Sequence, residues 1–113
     1  MPVISFDLTP DDRPALEQIL SSSGYFYDFE IKVALSLADE TFEKGQGNSG
    51  YYWIRLLEED KVIGFANFGP NPSSVHSWDL YWIAIQEEYR KRHFGSLILK
   101  EAEERIRSLG GKI

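Results

Sequence analysis

The chain has 113 residues, which is enough for one domain with a single modest core. Hydrophobic residues make up 42% and charged residues 27%, a balance that is typical of globular proteins and argues against disorder. Twelve Lys and Arg against eighteen Asp and Glu give a net charge of −6. General nucleic-acid binding is therefore not expected, because it needs a broad basic surface.

Cysteine is absent, which excludes disulfides, thiolate metal sites and a cysteine nucleophile. The two histidines, His76 and His93, have no metal-ligand spacing, so we expect no metal. No apolar run reaches the roughly 18 residues of a membrane span. The N-terminal residues 1–7 lack the basic start and long apolar core of a secretory signal. These features predict a cytoplasmic protein without a membrane partner.

The first half of the chain reads as a strand followed by two helices. Alternation over Val3–Leu8 predicts a strand, and residues 9–12 then resemble a helix start, with Thr9 as the cap and Pro10 at the first helical position. This helix is predicted to end near Ser21. A second helix is predicted over about Tyr27–Lys44. Its apolar residues at helical spacing predict one buried face: Phe29, Val33, Ala34, Leu37, Ala38 and Phe42.

Three strands are predicted next. Tyr51–Glu58 and Val62–Phe68 are rich in aromatic and β-branched residues, and the polar turn 59–61 between them predicts a β-hairpin. Trp78–Ile85 follows a loop over residues 69–74. Its second half, from Tyr81 on, is apolar on both faces, which is typical of a central strand.

The last predicted element is a helix that begins near His93 and ends at Gly110-Gly111. Lys112 and Ile113 would begin another strand if the chain continued. The predicted buried stripe of the helix is Phe94, Leu97, Ile98, Ala102, Ile106 and Leu109.

The order strand, helix, helix, strand, strand, strand, helix predicts a mixed α/β (α+β) fold, in which helices flank a mixed, mostly antiparallel sheet. Without internal repeats, the chain is expected to form a single domain over residues 1–113. The segment 79–96 is the most informative part, since a strand leads through a short turn into a basic helix start. Unpaired backbone N–H groups and positive charge meet there, which suits a pyrophosphate.

The run Arg90-Lys91-Arg92-His93-Phe94-Gly95 resembles the signature Arg/Gln-x-x-Gly-x-Gly/Ala of the GNAT superfamily of acyl-CoA-dependent N-acetyltransferases. Arg90 and Gly95 match, and His93 stands where the first glycine usually does. The segments 64–70 (Gly-Phe-Ala-Asn-Phe-Gly-Pro) and 79–85 (Asp-Leu-Tyr-Trp-Ile-Ala-Ile) are similar to a bacterial and archaeal subgroup with Gly-Tyr-x-x-x-Gly-Pro and Asp-Leu-Tyr-Trp-Ile-Ala-Val. The resemblance implies the N-terminal and cofactor-binding portion of a GNAT-like domain, truncated after the third helix.

This resemblance implies acetyl-CoA as the acyl donor, with no metal. Its pantetheine would pair with the free edge of the fourth strand at Ile83, Ala84 and Ile85. Positive charge would come from Arg90, Lys91 and Arg92. The backbone amides that would bind the pyrophosphate are those of Arg92, His93, Phe94, Gly95 and Ser96.

The implied reaction is direct attack of an amine on the acyl thioester, which needs a base, an oxyanion donor and an acid for the leaving thiolate. Asp79 lies five residues before Ala84, the spacing of the glutamate base in the histone-acetylating branch, so Asp79 is the candidate base, directly or through a water. The alternative is a carboxylate that orders the loop or recognises a cationic substrate. Tyr81 would share a face of the strand with Asp79 and is the second catalytic candidate. A packed or hydrogen-bonded core tyrosine is its alternative.

The acceptor implied by the resemblance is a small-molecule or protein amine. Aromatic residues 25–29 would either cap the acceptor site or pack in the core. Three alternatives stay open. The chain could be a non-catalytic or incomplete acyl-CoA-binding module that needs a partner or a missing C-terminal segment. It could self-associate through its exposed sheet edge. The basic turn could also bind a nucleotide phosphate, which the net charge of −6 disfavours.

Overall fold

In the computed structural model, which describes residues 2–74 and 76–111, the elements follow the predicted order. The description of Lys91 is limited to its backbone. The strands and helices are β1 (Val3–Ser5), a 3-10 turn (Pro10–Asp12), α1 (Arg13–Ser23), α2 (Asp28–Lys44), β2 (Tyr52–Glu58), β3 (Lys61–Pro70), β4 (Trp78–Ile85), a second 3-10 segment (Glu87–Arg92) and α3 (Phe94–Ser108).

The four strands form one antiparallel sheet in the order β1-β2-β3-β4. Within the described residues β4 therefore lies at an edge, and the expectation of a central strand is wrong. The reason is that helices cover both faces of the sheet near β4. Ala84 packs in the core beneath α1 and α2, and Ile85 packs in the core beneath α3. A strand covered on both faces is apolar on both faces even when one of its edges is free.

The sheet separates two hydrophobic cores. On one face, Trp53 and Phe65 pack with the buried residues of α1 and α2. On the other face, Ile54 and Phe68 pack with Ile98 and other residues of α3. Neighbouring strand residues thus alternate between the cores, as expected for a pleated sheet. The result is an α+β fold of three layers.

The N-terminal strand is shorter than predicted and ends at Ser5. Side chains bond the backbone that follows. The Asp7 N–H donates to Ser5 Oγ at 3.2 Å, Gln46 Nε2 donates to Phe6 O at 2.7 Å, and the Thr9 N–H donates to Asp12 Oδ2 at 2.8 Å. The Arg55 guanidinium holds the accepting side chains, because it donates to Ser5 Oγ at 2.9 Å and to Asp12 Oδ1 at 3.2 Å. The chain then enters a 3-10 turn before α1, which runs two residues beyond the predicted end. Gly24, with φ +75°, follows it.

The predicted buried face of α2 is partly wrong. Phe29 and Val33 are 66% and 53% exposed, whereas Ile31 and Leu35 are buried with Ala34 and Ala38. Both sets have helical spacing, so α2 carries two apolar stripes side by side. The core of α1, β2 and β3 covers only one of them, and Phe29 and Val33 remain at the surface.

Two turns lie where the sequence predicts them. The hairpin turn has two residues and not the predicted three, because Lys61 already pairs with Glu58. Glu59 and Asp60 both have positive φ, which matches the twist of the flanking strands. At the end of α3, the Gly110 N–H donates to Arg107 O and the Gly111 N–H donates to Ile106 O. This pair of bonds, with Gly110 at φ +86°, is a Schellman motif. The predicted strand start at 112–113 lies outside the described residues. Leu109, predicted as buried, is 38% exposed because it lies at this turn.

Candidate functional site

A β-bulge in β4 shapes the site. Asn67 pairs with Trp82, but the next residue of β3, Phe68, pairs with Leu80, so Tyr81 is an extra residue without a partner. The bulge places the side chains of Tyr81 and Trp82 on the same face, toward α2. Leu80 and Ile83 pack on the opposite face, beneath α3.

The free edge of β4 is formed by the backbone of Ile83 and Ile85. The Gln86 N–H donates to Ile63 O on β3 at 2.7 Å, so Gln86 and, two residues earlier, Ala84 are directed toward β3. Ile83 and Ile85 consequently direct their N–H and C=O groups away from the sheet. Consistent with this, Ile85 O accepts a bond from Arg90 Nε at 3.3 Å and not from a strand.

The start of α3 offers unpaired amides next to this edge. The N–H of Leu97 donates to His93 O at 3.2 Å and closes the first helical turn. The N–H groups of Phe94, Gly95 and Ser96 precede it, so they have no acceptor within the helix. His93 caps the helix with φ +61° and ψ +21°, a left-handed conformation that glycine adopts with less strain. The signature glycine that His93 replaces thus corresponds to a position of positive φ.

The edge of β4, the start of α3 and the α1–α2 connection enclose a cleft of about 330 Å³, which we name the β4–α3 cleft. Five residues predicted for the cofactor site line it together: Ile83, Ala84, Ile85, Arg90 and Gly95. The remaining walls come from Ser23, Tyr25 and Phe26. An ideal Cβ at Gly95 would have no protein atom within 4 Å, so the space in front of Gly95 is open.

The basic residues of the turn have different surroundings. Arg90 stacks its guanidinium 5.1 Å from the Tyr25 ring centroid, and its Nη2 is buried without a hydrogen-bond acceptor among the described residues. Arg92 is exposed and stacks on Tyr89 at 5.1 Å. The side chain of Lys91 lies outside the described part of the chain. Of the two described cations, Arg90 is therefore the one that faces the cleft.

A second cleft of about 350 Å³, the β4–α2 cleft, lies on the same side of β4. Its walls are mostly apolar and come from α2, β4 and the segment before α2. The lining residues are Phe26, Phe29, Glu30, Val33, Ala34, Leu37, Tyr81 and Trp82. Phe26 borders both clefts.

The two catalytic candidates lie on the face of β4 toward α2. Asp79 is half-buried and pairs with Gly69, and an ideal Cβ at Gly69 would lie 3.3 Å from Tyr81 Oη. Tyr81 is 40% exposed and lines the β4–α2 cleft, so the alternative of a packed core tyrosine is wrong. Partial burial, the charge of Asp79 and the nearby Tyr51 raise the pKa of the Tyr81 phenol above its usual value. The phenol is therefore protonated at neutral pH and able to donate.

The glycines of the segment 64–70 are explained by close approach. A Cβ at Gly64 would lie 2.7 Å from Ile85 Cδ1, and a Cβ at Gly69 would collide with Gly50 O. A side chain at Gly69 would therefore push the residues before β2 away from β3, whereas one at Gly64 would displace the end of the Ile85 side chain and crowd Ala84 O. Gly69 thus maintains the packing beside the bulge of β4.

Several residues of the two clefts were not identified from the sequence: Ser23, Glu30, Val33 and Trp82. Ser23 had been assigned to the end of a helix, Val33 to the core, and Glu30 to no role. The double apolar stripe of α2 was an available signal, because a helix over one core needs only one stripe. The bulge that turns Trp82 toward α2 had no signal in the strand pattern.

Metal-binding clusters and membrane-spanning helices are both absent from the described part of the chain. Nowhere in this part of the chain do His, Asp and Glu side chains gather in a group of three that could bind a metal ion. The helices described are also too short or too polar for any of them to cross a membrane.

The geometry can now be compared with known proteins. A family model, "Acetyltransferase (GNAT) family", matches residues 13–113. A protein from Desulfovibrio desulfuricans, assigned to the same family, has 30% identity and a TM-score of 0.93, over 98% of this chain and 69% of its own. No curated protein sequence matches significantly.

Two further solved structures share the fold at lower identity. The ribosomal-protein-S18-alanine N-acetyltransferase of Escherichia coli has 22% identity and a TM-score of 0.73, over 97% of this chain and 62% of its own. The PaiA N-acetyltransferase of Thermoplasma acidophilum, solved with coenzyme A, has 18% identity and a TM-score of 0.72, over 97% of this chain and 74% of its own. Because the family model covers most of the sequence and the bulged edge strand leads into the matching helix start, the chain belongs to the GNAT family of acetyltransferases.

Proposed function

We propose that this protein transfers an acetyl group from acetyl-CoA to a primary amine by direct attack of the amine on the thioester. The observation that carries the proposal is the β4–α3 cleft, which joins an unpaired strand edge to the amides of a helix start. Family membership supports acyl transfer, and the cleft supports a donor with both an amide-bearing arm and a phosphate group. In this proposal residues 1–113 form the N-terminal and donor-binding portion of a single GNAT-like domain.

The residues of the cleft fit such a donor. The N–H groups of Phe94, Gly95 and Ser96 lie at the positive end of the α3 dipole, where an anion is stabilised. The buried Nη2 of Arg90 lacks an acceptor among the described residues, so a phosphate oxygen would satisfy it. The outward N–H and C=O groups of Ile83 and Ile85 are the pairing groups that pantetheine amides require.

One contact must change when the donor binds. Arg90 Nε donates to Ile85 O, which is one of the edge carbonyls that the donor would use. The same guanidinium rests on Tyr25. Arg90 therefore has to exchange Ile85 O for a donor oxygen, and its charge makes that exchange favourable.

Proton transfer is assigned to the two candidates beyond the bulge. Acetyl-CoA supplies an activated acyl group. The amine forms the new C–N bond as the C–S bond breaks. Asp79, directly or through a water, accepts the proton that the amine loses. The Tyr81 phenol, held protonated by its raised pKa, donates a proton to the leaving thiolate.

Solved structures with the same fold support the donor and acceptor classes. The PaiA N-acetyltransferase was crystallised with coenzyme A, and so was an aminoglycoside 6′-N-acetyltransferase of 19% identity and TM-score 0.70. Both are N-acetyltransferases, and acetylation of an amine is extended to this chain as part of the proposal.

The test is calorimetric titration with coenzyme A and acetyl-CoA, followed by a thiol-release assay against primary amines. We expect both donors to bind and thiol release to depend on an amine. Binding without release by any amine would favour the alternative of a non-catalytic acyl-CoA-binding module. Failure to bind either donor would overturn the proposal. Asp79→Asn should remove the acidic limb of the pH–rate profile, and an unchanged profile would exclude Asp79 as the base.

A further inference from the structure

The position of the β4–α2 cleft makes it the place from which an acceptor would reach the donor. Tyr81 and Trp82 line this cleft, and Ile83 to Ile85, the next residues of the same strand, line the β4–α3 cleft. Phe26 forms a wall of both. A molecule seated in the β4–α2 cleft therefore has its inner end where the two clefts meet.

The walls of this cleft are aromatic on several sides. Trp82 is fixed by edge contacts to Phe26, at 6.4 Å between ring centroids, and to Trp53, at 5.4 Å. Phe29 stands opposite on α2, stacked on Tyr27 at 5.8 Å and 66% exposed. Trp82 is packed on its far side and Phe29 adds an exposed ring from α2, and aromatic walls of this kind favour a flat aromatic guest.

The charge of the cleft further restricts the class of ligand that it can bind. Glu30 is its only charged lining residue among those described, and its Oε1 is held by the Tyr27 N–H at 2.9 Å. Asp79 lies two residues before Tyr81 on the same strand and adds negative charge near the cleft. No Lys or Arg of the described chain lines the cleft, so a carboxylate on the guest would have no counter-charge. Only Glu30 on these walls could compensate a second ammonium group, and its carboxylate already accepts the Tyr27 N–H, so any further ammonium group would lie against apolar side chains.

We infer that the acceptor is an aromatic monoamine, a primary amine on a short chain attached to an aromatic ring. The protein is expected to prefer this class of acceptor to polyamines and to aromatic amino acids, which carry a carboxylate. The inference rests on the proposed function and adds the substrate class to it. The ring occupies the slot between Trp82 and Phe29, and the amine points toward Asp79 and the donor.

The first experiment measures kcat/KM at saturating acetyl-CoA for phenethylamine, phenylalanine and spermidine. We expect phenethylamine to exceed each of the others by ~10-fold or more, since an uncompensated carboxylate or a displaced ammonium costs at least that factor. Equal or higher kcat/KM for spermidine or phenylalanine would overturn the inference while leaving the acetyltransferase proposal intact.

A binding measurement separates the inference from the activity. Phenethylamine is titrated calorimetrically into the protein saturated with coenzyme A. We expect Phe29→Ala to weaken this binding ~10-fold, because it removes one wall of the slot. Phe29 is exposed, so its removal leaves the core intact. Val3→Ala, an exposed hydrophobic residue on the far strand β1, is the matched control and should bind like the unaltered protein.

The variant Glu30→Gln tests whether the negative charge of Glu30 contributes to binding of the amine. Glutamine keeps the oxygen that accepts the Tyr27 N–H, so the helix start is retained. We expect the variant to bind phenethylamine ~5-fold more weakly and to bind the neutral analogue 2-phenylethanol unchanged. Equal losses for both compounds would show a structural role and would contradict the charge argument.

Two outcomes would overturn the inference regardless of the kcat/KM values. The first is that phenethylamine does not bind, or binds equally well to Phe29→Ala. The second is a dimer in analytical ultracentrifugation that Val33→Asp converts to a monomer, since the exposed α2 stripe would then be covered by a second copy. If phenethylamine binds as expected but no amine releases thiol, the proposed function fails and the assigned cleft stands.

Discussion

Replacing Gly95 by alanine should raise the stability of the protein and weaken donor binding at the same time. Gly95 lies in the first turn of α3, and a Cβ there would meet no protein atom within 4 Å. Alanine in place of glycine in a helix stabilises by about 0.5–1 kcal/mol. For a domain of this size, that raises Tm by roughly 2–5 °C.

The same methyl group would project into the open space of the β4–α3 cleft, where the pyrophosphate is proposed to approach the backbone. We expect a loss of affinity for coenzyme A of ~10-fold, or about 1.4 kcal/mol. At a coenzyme A concentration of about 100 times the original Kd, ligand binding stabilises the unaltered protein by about 2.7 kcal/mol. For Gly95→Ala the same concentration would contribute only about 1.4 kcal/mol.

Thermal unfolding with and without coenzyme A measures both effects in one assay. The apo Tm should rise, and the shift produced by coenzyme A should fall to about half. Leu99→Ala, an exposed position on the same helix, should leave the ligand-induced shift unchanged. An equal ligand-induced shift for Gly95→Ala and the unaltered protein would refute the placement of the phosphate at this helix start.

Three further changes test other parts of the structure. In denaturant unfolding, His93→Gly should be more stable than His93→Ala by about 1 kcal/mol. Both substitutions remove the ring, but only glycine relieves the strain of the positive φ. Equal stabilities of the two variants would contradict the left-handed conformation of the cap. Tyr81→Phe should lower kcat without changing KM for acetyl-CoA. It should also abolish the alkaline limb of the pH–rate profile, which lies above the usual range because the pKa of the Tyr81 phenol is raised. An intact alkaline limb would mean that another residue is the general acid. Thr41→Val should destabilise by about 1–3 kcal/mol, because the buried Trp53 Nε1–H donates to Thr41 Oγ1 at 2.9 Å, whereas Thr41→Ser should retain most of the stability.

The pH dependence of stability near Tyr81 has a definite sign. Its pKa is raised in the folded protein, so the protonated phenol is favoured by folding. This contribution is complete below the unfolded pKa and is lost as pH rises through the folded pKa. Asp39 shows the opposite case, since its hydrogen bond to Arg13 lowers its pKa and the contribution is lost as pH falls. Both side chains are partly exposed, with Tyr81 at 40% and the Asp39 side chain at 49%, so solvent screens the effects and keeps them small.

Local signals were sufficient for much of the fold. The hairpin turn at Glu59 and Asp60 and the Gly110 cap each depend on a few neighbouring residues, and the structure has them where the sequence predicts. The β1 prediction was too long because side chains bond the backbone after Ser5, among them that of Gln46, which is forty residues away from Phe6. A contact between residues so far apart leaves no trace in local periodicity.

The sequence by itself determined the family, the element order and the motif of the basic turn, because strand alternation, helix stripes and a signature of six residues are all local. Tertiary structure alone decided two things: that a bulge at Tyr81 turns Trp82 toward α2, and that one apolar stripe of α2 remains uncovered among the described residues. Each depends on which surfaces of the helices and strands pack together. An apolar side chain has the same sequence periodicity whether it packs in a core or lines a cleft. The proposed donor side could therefore be predicted as a motif, while the proposed acceptor side emerges only when α2 and β4 are brought together.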